Sequence, residues 1–170
     1  MLNKKFLSFK TRSYLKNNNI TRANTAYSSA KTIGILFSVE DLKKHEQIKH
    51  LIKNLEKDGK QVSVLAYLPK GTQNFEFKFD FFTIDELTFW GKFESQAIQN
   101  FVNQSFDYLF YIDTESNALI RNILAMSKSK CRIGNYDEEN AKFCEMMVQG
   151  KDKTIESLIK EMYKYTQLLT

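Results

Sequence analysis

The chain has 170 residues, 42% of them hydrophobic and 14% aromatic, with a net charge of +5. That composition is globular, and the length is enough to bury one sizeable core. Two cysteines, Cys131 and Cys144, are too few and too far apart for a disulfide framework, which points to a reducing cytoplasm. No apolar run approaches the roughly 20 residues that a membrane span needs.

The charge is unevenly placed. Residues 1–38 hold Lys4, Lys5, Lys10, Arg12, Lys16, Arg22 and Lys31 and no acid, and the first carboxylate is Glu40. Taking those seven cations from +5 leaves −2 for residues 39–170. The sequence therefore divides into a basic amino-terminal arm, residues 1–30, and a nearly neutral body, residues 31–170. In the arm, Leu2, Phe6 and Phe9 fall on one side of a helix with lysines around them. Asn17, Asn18 and Asn19 should stop that helix, and the polar run to Ala30 reads as extended or irregular. Lys10, Arg12 and Lys16 interrupt any apolar core of a secretory signal, whereas a transit peptide would share the basic, acid-free composition.

The body opens with an apolar strand at Thr32–Phe37. A helix follows, capped by Ser38 or Asp41, with Leu42, His45, Ile48, Ile52 and Leu55 on its inner face and Gly59 as its terminator. Gln61–Leu68 supplies a second strand, so the opening of the body is a right-handed strand–helix–strand crossover. Phe75, Phe77, Phe79 and Phe81 alternate with Glu76, Lys78 and Asp80, the period of an edge strand with one buried face. Phe106–Asp113 is apolar on consecutive residues, as in a central parallel strand covered on both faces. Helical patterns at Phe93–Asn103 and Ser116–Ser127 flank it. A shorter strand is predicted at Cys131–Gly134, a strand or a helical turn at Phe143–Val148, and an amphipathic helix at Thr154–Leu168. The alternation defines an α/β protein, a three-layer Rossmann-like domain with a mostly parallel sheet.

Residues 107–134, DYLFYIDTESNALIRNILAMSKSKCRIG, resemble the amino-terminal domain of heptosyltransferase-type glycosyltransferases, with strand, polar turn, helix and a strand ending in Arg-x-Gly. The whole chain is more similar to a family of short bacterial proteins of unknown function, through Phe89-Trp90-Gly91-Lys92, Phe106-Asp107-Tyr108-Leu109 and the stretch Ser127–Gly134. The transferase resemblance does not imply the activity. Those enzymes bind the donor nucleotide in a second domain, and Ser38-Val39-Glu40-Asp41 lacks the glycines that let a backbone approach phosphate.

The residues offer no catalytic constellation. Glu40, Asp41, Asp113 and Glu115 could converge at the carboxyl ends of neighbouring strands, yet these are also ordinary helix-capping positions. His45 and His50, five residues apart, do not share a helix face as a metal pair would. Neither cysteine has a ligand-spaced partner, so no metal and no cofactor is expected.

Two basic clusters are the candidate sites: Lys4, Lys5, Lys10, Arg12, Lys16 and Arg22 in the arm, and Lys128, Lys130 and Arg132 in the body. Cations interleaved with Phe6, Phe9 and Tyr14 suit an RNA backbone with occasional stacked bases. The expectation is a non-enzymatic, cytoplasmic, rRNA-binding protein, part of or accessory to a bacterial ribosomal subunit. Its partners would be rRNA and neighbouring ribosomal proteins, with no small-molecule substrate. The alternatives are a sugar- or nucleotide-binding protein using the cleft at Asp113–Ser116, and a membrane-peripheral adaptor.

Overall fold

The structure is a computed structural model that describes residues 4–73 and 78–170. Among the described residues, six strands form one sheet: β1 (Thr32–Ser38), β2 (Gln61–Tyr67), β3 (Asp80–Phe82), β4 (Tyr108–Tyr111), β5 (Cys131–Asn135) and β6 (Met146–Val148). Their order is β3-β2-β1-β4-β5-β6, and each pairing is parallel. β1 and β4 sit at the centre because both are apolar on consecutive residues and can be covered from either side. Ile33, Ile35, Phe37, Tyr108 and Phe110 point into one core layer, and Leu36, Leu109 and Tyr111 into the other. Gly34 in β1 lies directly under Phe106, whose ring a Cβ would meet at 2.7 Å.

Helices cover both faces. On the first lie α2 (Leu42–Lys57) and α5 (Ile155–Gln167), and on the second α3 (Gln96–Val102) and α4 (Ala118–Met126). Asp41 caps α2 by accepting the Lys44 N–H at 2.7 Å. The buried stripe of α2 is Lys44, His45, Ile48, Leu51 and Leu55. Leu42, expected inside, is exposed, and Ile52 is half-buried. The 44-48-51-55 spacing follows the helix period, and Leu42 falls off that line.

β3 occupies a sheet edge, as its alternation predicts, but in a different register. Phe79 reaches the core layer under α2, Phe81 is exposed, and Phe82 is fully buried between Tyr67 and Phe93. The expectations for Phe75 and Phe77 lie outside the described residues.

The amino-terminal segment is built into the body rather than set apart from it. α1 (Lys4–Asn17) lies against α4, burying Leu7 and Thr11 and packing Tyr14 and Leu15 on the same core layer. α4, ALIRNILAM, buries Leu119, Ile120, Asn122, Ile123, Leu124 and Ala125, too wide an apolar surface for a helix with one face to solvent. α1 is the cover it needs. Residues 18–30 then run as a strap across the molecule, held along its length by hydrogen bonds to the body. The Asn18 amide donates to the carbonyls of Ala125 and Ser127, both at 2.9 Å, and Ala23 N–H donates to Lys130 O at 3.1 Å. Tyr27 N–H donates to Leu169 O at 2.9 Å, and its hydroxyl to Asp58 at 2.6 Å.

Candidate functional site

The sequence points to the basic clusters as RNA contacts and, in the alternative reading, to the carboxyl edge of the sheet as a sugar- or nucleotide-binding cleft. At the carboxyl edge, β1 and β4 are neighbours whose crossovers run in opposite directions along the sheet, the position where open α/β sheets leave a crevice. Ser38, Glu40, Asp113, Glu115, Ser116 and Asn117 line a shallow hollow there of about 330 Å³. Behind it an ion-pair network fills the space. The buried Lys44 ammonium lies 2.7 Å from Asp113 and 2.5 Å from Glu40. Asp113 also accepts the Ser38 N–H at 2.8 Å and the Ser38 hydroxyl at 2.7 Å. Burial pushes the Asp113 carboxyl upward, against the pull of Lys44 and the Ser38 donors. Asn117 caps α4 through Leu119 N–H and donates to the Ser38 hydroxyl at 3.3 Å.

Of the four candidate carboxylates, Asp41 is a helix cap, while Glu40 and Asp113 are tied to Lys44. Among the described residues, no group of His, Cys, Asp and Glu is placed to hold a metal ion. His45 packs on Phe79 and is held below its usual value, first by burial and then by Lys49; His50 is exposed elsewhere on α2. Burial pushes the Cys131 thiol up to about 11 and the Cys144 thiol up to about 12.

The body cluster does not assemble into one exposed patch. Lys128 is exposed, and Lys130 is ion-paired with Asp107 at 2.7 Å. Arg132 is buried, donating to Glu145 at 2.6 Å and to Leu124 O at 2.9 Å. Burial alone would raise the Asp107 carboxyl, but Lys130 and the N–H groups of Lys31 and Thr32 outweigh it and hold it at about 2. The Ser-Lys-Ser-Lys-Cys-Arg stretch thereby finds a structural explanation. Ser127 and Ser129 are buried and bonded to each other at 2.6 Å, and their carbonyls face outward as acceptors for the strap. Arg22 spends its guanidinium there, on Ser127 O, Ser129 O and Glu145.

The arm cluster divides in the same way. Arg22 is turned inward, Lys10 is half-buried, and Lys4, Lys5, Arg12 and Lys16 are exposed on α1, which carries no acid. Next to this face lies an aromatic surface that charge counting did not find. Phe9 is 67% exposed, Phe89 65% and Trp90 63%. Phe6, one turn before Phe9 on α1, packs against the other two, with its ring centroid 5.7 Å from Phe89 and 5.4 Å from Trp90. Beyond Arg12, between α1, α4 and residues 138–143, a groove of about 680 Å³ has an apolar floor of Leu7, Leu15, Leu119 and Phe143. Among the described residues, no helix is long and apolar enough to cross a membrane.

Fold and surface together define a Rossmann-like α/β protein whose outermost helix presents cations beside exposed rings. The chain belongs to a family of unknown function, DUF6913, whose profile matches residues 3–169. No curated protein matches it. No likeness to glycosyltransferases is shown, so the resemblance of residues 107–134 remains one of element order.

Proposed function

We propose that the protein is a non-enzymatic RNA-binding protein that contacts its RNA with the exposed face of α1, in a ribonucleoprotein for which the ribosomal subunit is the particle to test. One observation carries the reading. Four exposed cations, Lys4, Lys5, Arg12 and Lys16, stand on an acid-free helix, beside exposed aromatic rings, on a body of otherwise near-neutral charge. Such a face suits a polyanion whose bases also offer stacking surfaces. Because α1 and the strap are part of the fold, contact would be made by a surface, not by a loose arm threaded between RNA helices. The rival crevice beside Asp113 has its one buried cation already neutralised by Asp113 and Glu40, which disfavours a phosphate there.

The test leaves α1 in place, since deleting residues 1–30 would strip Leu7 from the core. Wild type and a variant with Lys4, Lys5, Arg12 and Lys16 all changed to Gln are compared for binding to total RNA and for co-sedimentation with ribosomal subunits across salt. Each phosphate contact contributes roughly 0.7–0.9 to the slope of log affinity on log salt. The quadruple variant should therefore flatten that slope by about 3 and lose at least tenfold in affinity at ~0.1 M salt. Unchanged binding by the variant, with its circular dichroism intact, overturns the reading.

A further inference from the structure

Resting on the RNA reading above, we propose that Phe89 and Trp90, with Phe9 exposed one turn of α1 beyond Phe6, form a stacking platform for unpaired bases, so that the RNA bound at this face is single-stranded there. Large rings left this bare are uncommon on a lone domain and mark a surface that something covers. Here the backbone that carries Phe89 and Trp90 is also closed by hydrogen bonds. Residues 88–92 make a tight turn in which Thr88 N–H donates to Lys92 O at 2.9 Å and Gly91 N–H to Thr88 O at 3.0 Å. The Thr88 hydroxyl donates to Lys92 O at 3.0 Å and accepts the Lys92 N–H at 3.2 Å. The turn is rooted by buried Phe93 and by the bridge from Leu87 to Phe93.

Gly91, at φ +73°, seats the turn against α1. A Cβ there would come within 2.8 Å of Leu7 N, so no other residue allows the two backbones to lie this close. Phe89 and Trp90 meet edge to face, 5.4 Å between centroids at 85°. Each ring also packs against Phe6, contacts that favour this arrangement before any ligand arrives and lower the side-chain freedom lost on binding. Lys4 and Lys5 stand beside Phe6 in the sequence, and Lys92 ends the turn; all three are exposed. Rings flanked by cations match stacked bases joined by phosphates. A duplex keeps its base faces hidden and would meet only the cations.

Trp90 is the chain's one tryptophan, so its fluorescence reports this site alone in the full-length protein. The probes are a mixed-sequence RNA single strand of about 12 nucleotides, its duplex, inorganic polyphosphate, and phosphatidylglycerol vesicles. The single strand should quench Trp90 emission by more than half, while duplex and polyphosphate bind without quenching. Trp90→Ala and Phe9→Ala should each weaken the labelled single strand, read by anisotropy, about tenfold and leave polyphosphate binding unchanged. Single-strand binding that neither quenches Trp90 nor suffers in these variants overturns the platform and leaves the RNA reading standing. Failure of every RNA to bind at low salt overturns both. A blue shift on vesicles with no quenching by RNA assigns the rings to a membrane surface and overturns the platform.

Discussion

Replacing Lys44 by Met removes one partner of a nearly dry ion pair and leaves the other. The side chains of Lys44 and Asp113 are 2% and 3% exposed, with 2.7 Å between ammonium and carboxylate. Removing one partner of a buried pair costs about 3–5 kcal/mol, because the remaining charge has no compensation. Asp113 keeps its two Ser38 donors, which places the expected loss near the lower end, about 3 kcal/mol. That is a large share of the ~5–15 kcal/mol that holds a domain folded. The loss should depend on pH with a definite sign. Burial already sets the Asp113 carboxyl above its ordinary 3.8, so ionised Asp113 disfavours the folded state, and the penalty fades as pH falls toward the unfolded value. Without Lys44 the carboxyl rises further, so the deficit should be largest near pH 8 and shrink toward pH 5. The double variant Lys44→Met/Asp113→Asn keeps the Ser38 N–H bond on the amide oxygen, reverses the other so that the amide N–H donates to the Ser38 hydroxyl, removes the charge, and should regain most of the loss. Urea unfolding followed by far-ultraviolet circular dichroism measures all three proteins. A Lys44→Met variant within about 1 kcal/mol of wild type near pH 8, or a double variant no more stable than the single, refutes the reasoning.

Gly91→Ala should cost about 3 kcal/mol and expose α1 to hydrogen exchange ahead of the sheet, combining a left-handed backbone with a Cβ driven into Leu7. Gly59→Ala, at a similar φ of +77° but with open space around its Cβ, is the control and should cost only about 1 kcal/mol. Asp107→Asn should lose about 1 kcal/mol above pH ~4, once solvent screening at the half-exposed Lys130 is allowed for. The Asp107 carboxyl ionises at about 2 in the fold against an ordinary 3.8, so its contribution disappears as pH falls through that window. Unfolding curves of variant and wild type should therefore converge near pH 2. Asn18→Ala removes donors to the Ala125 and Ser127 carbonyls; a loss of about 1–2 kcal/mol and faster proteolysis within residues 18–30 are expected.

The sheet was legible because its evidence is local. Ile33–Phe37 and Tyr108–Ile112 are uninterrupted apolar runs of strand length, the pattern of a strand covered on both faces. Helix ends were readable within a few residues where a capping side chain stands, as at Asp41, Asn117 and Thr154. The docking of α1 was not, because seven cations without an acid outweigh a short apolar stripe in any count of charge. The signal was present in the spacing of Leu7, Thr11, Tyr14 and Leu15, which marks a different helix face from Leu2, Phe6 and Phe9. A second signal was the apolar breadth of α4, which demanded a cover. The fate of Arg22, Lys130 and Arg132 was out of reach. Their partners are Glu145, Asp107 and backbone carbonyls brought near by the fold, and side-chain type alone does not distinguish such a lysine or arginine from a solvated one. Phe89 and Trp90 were visible as residues, but their exposure depends on how the turn meets α1.

The seat of α1 is made long after α1 itself. Asn18 waits for acceptors 107 and 109 residues further on, and Thr11 for an amide 111 residues away. At ~5–20 residues per second of synthesis, that interval is about 5–20 seconds. Throughout it, a nascent chain carries its most cationic stretch unanchored, with Leu7, Tyr14 and Leu15 open to whatever lies nearby. The part born earliest takes its place only after α4 and the serine-rich stretch have emerged.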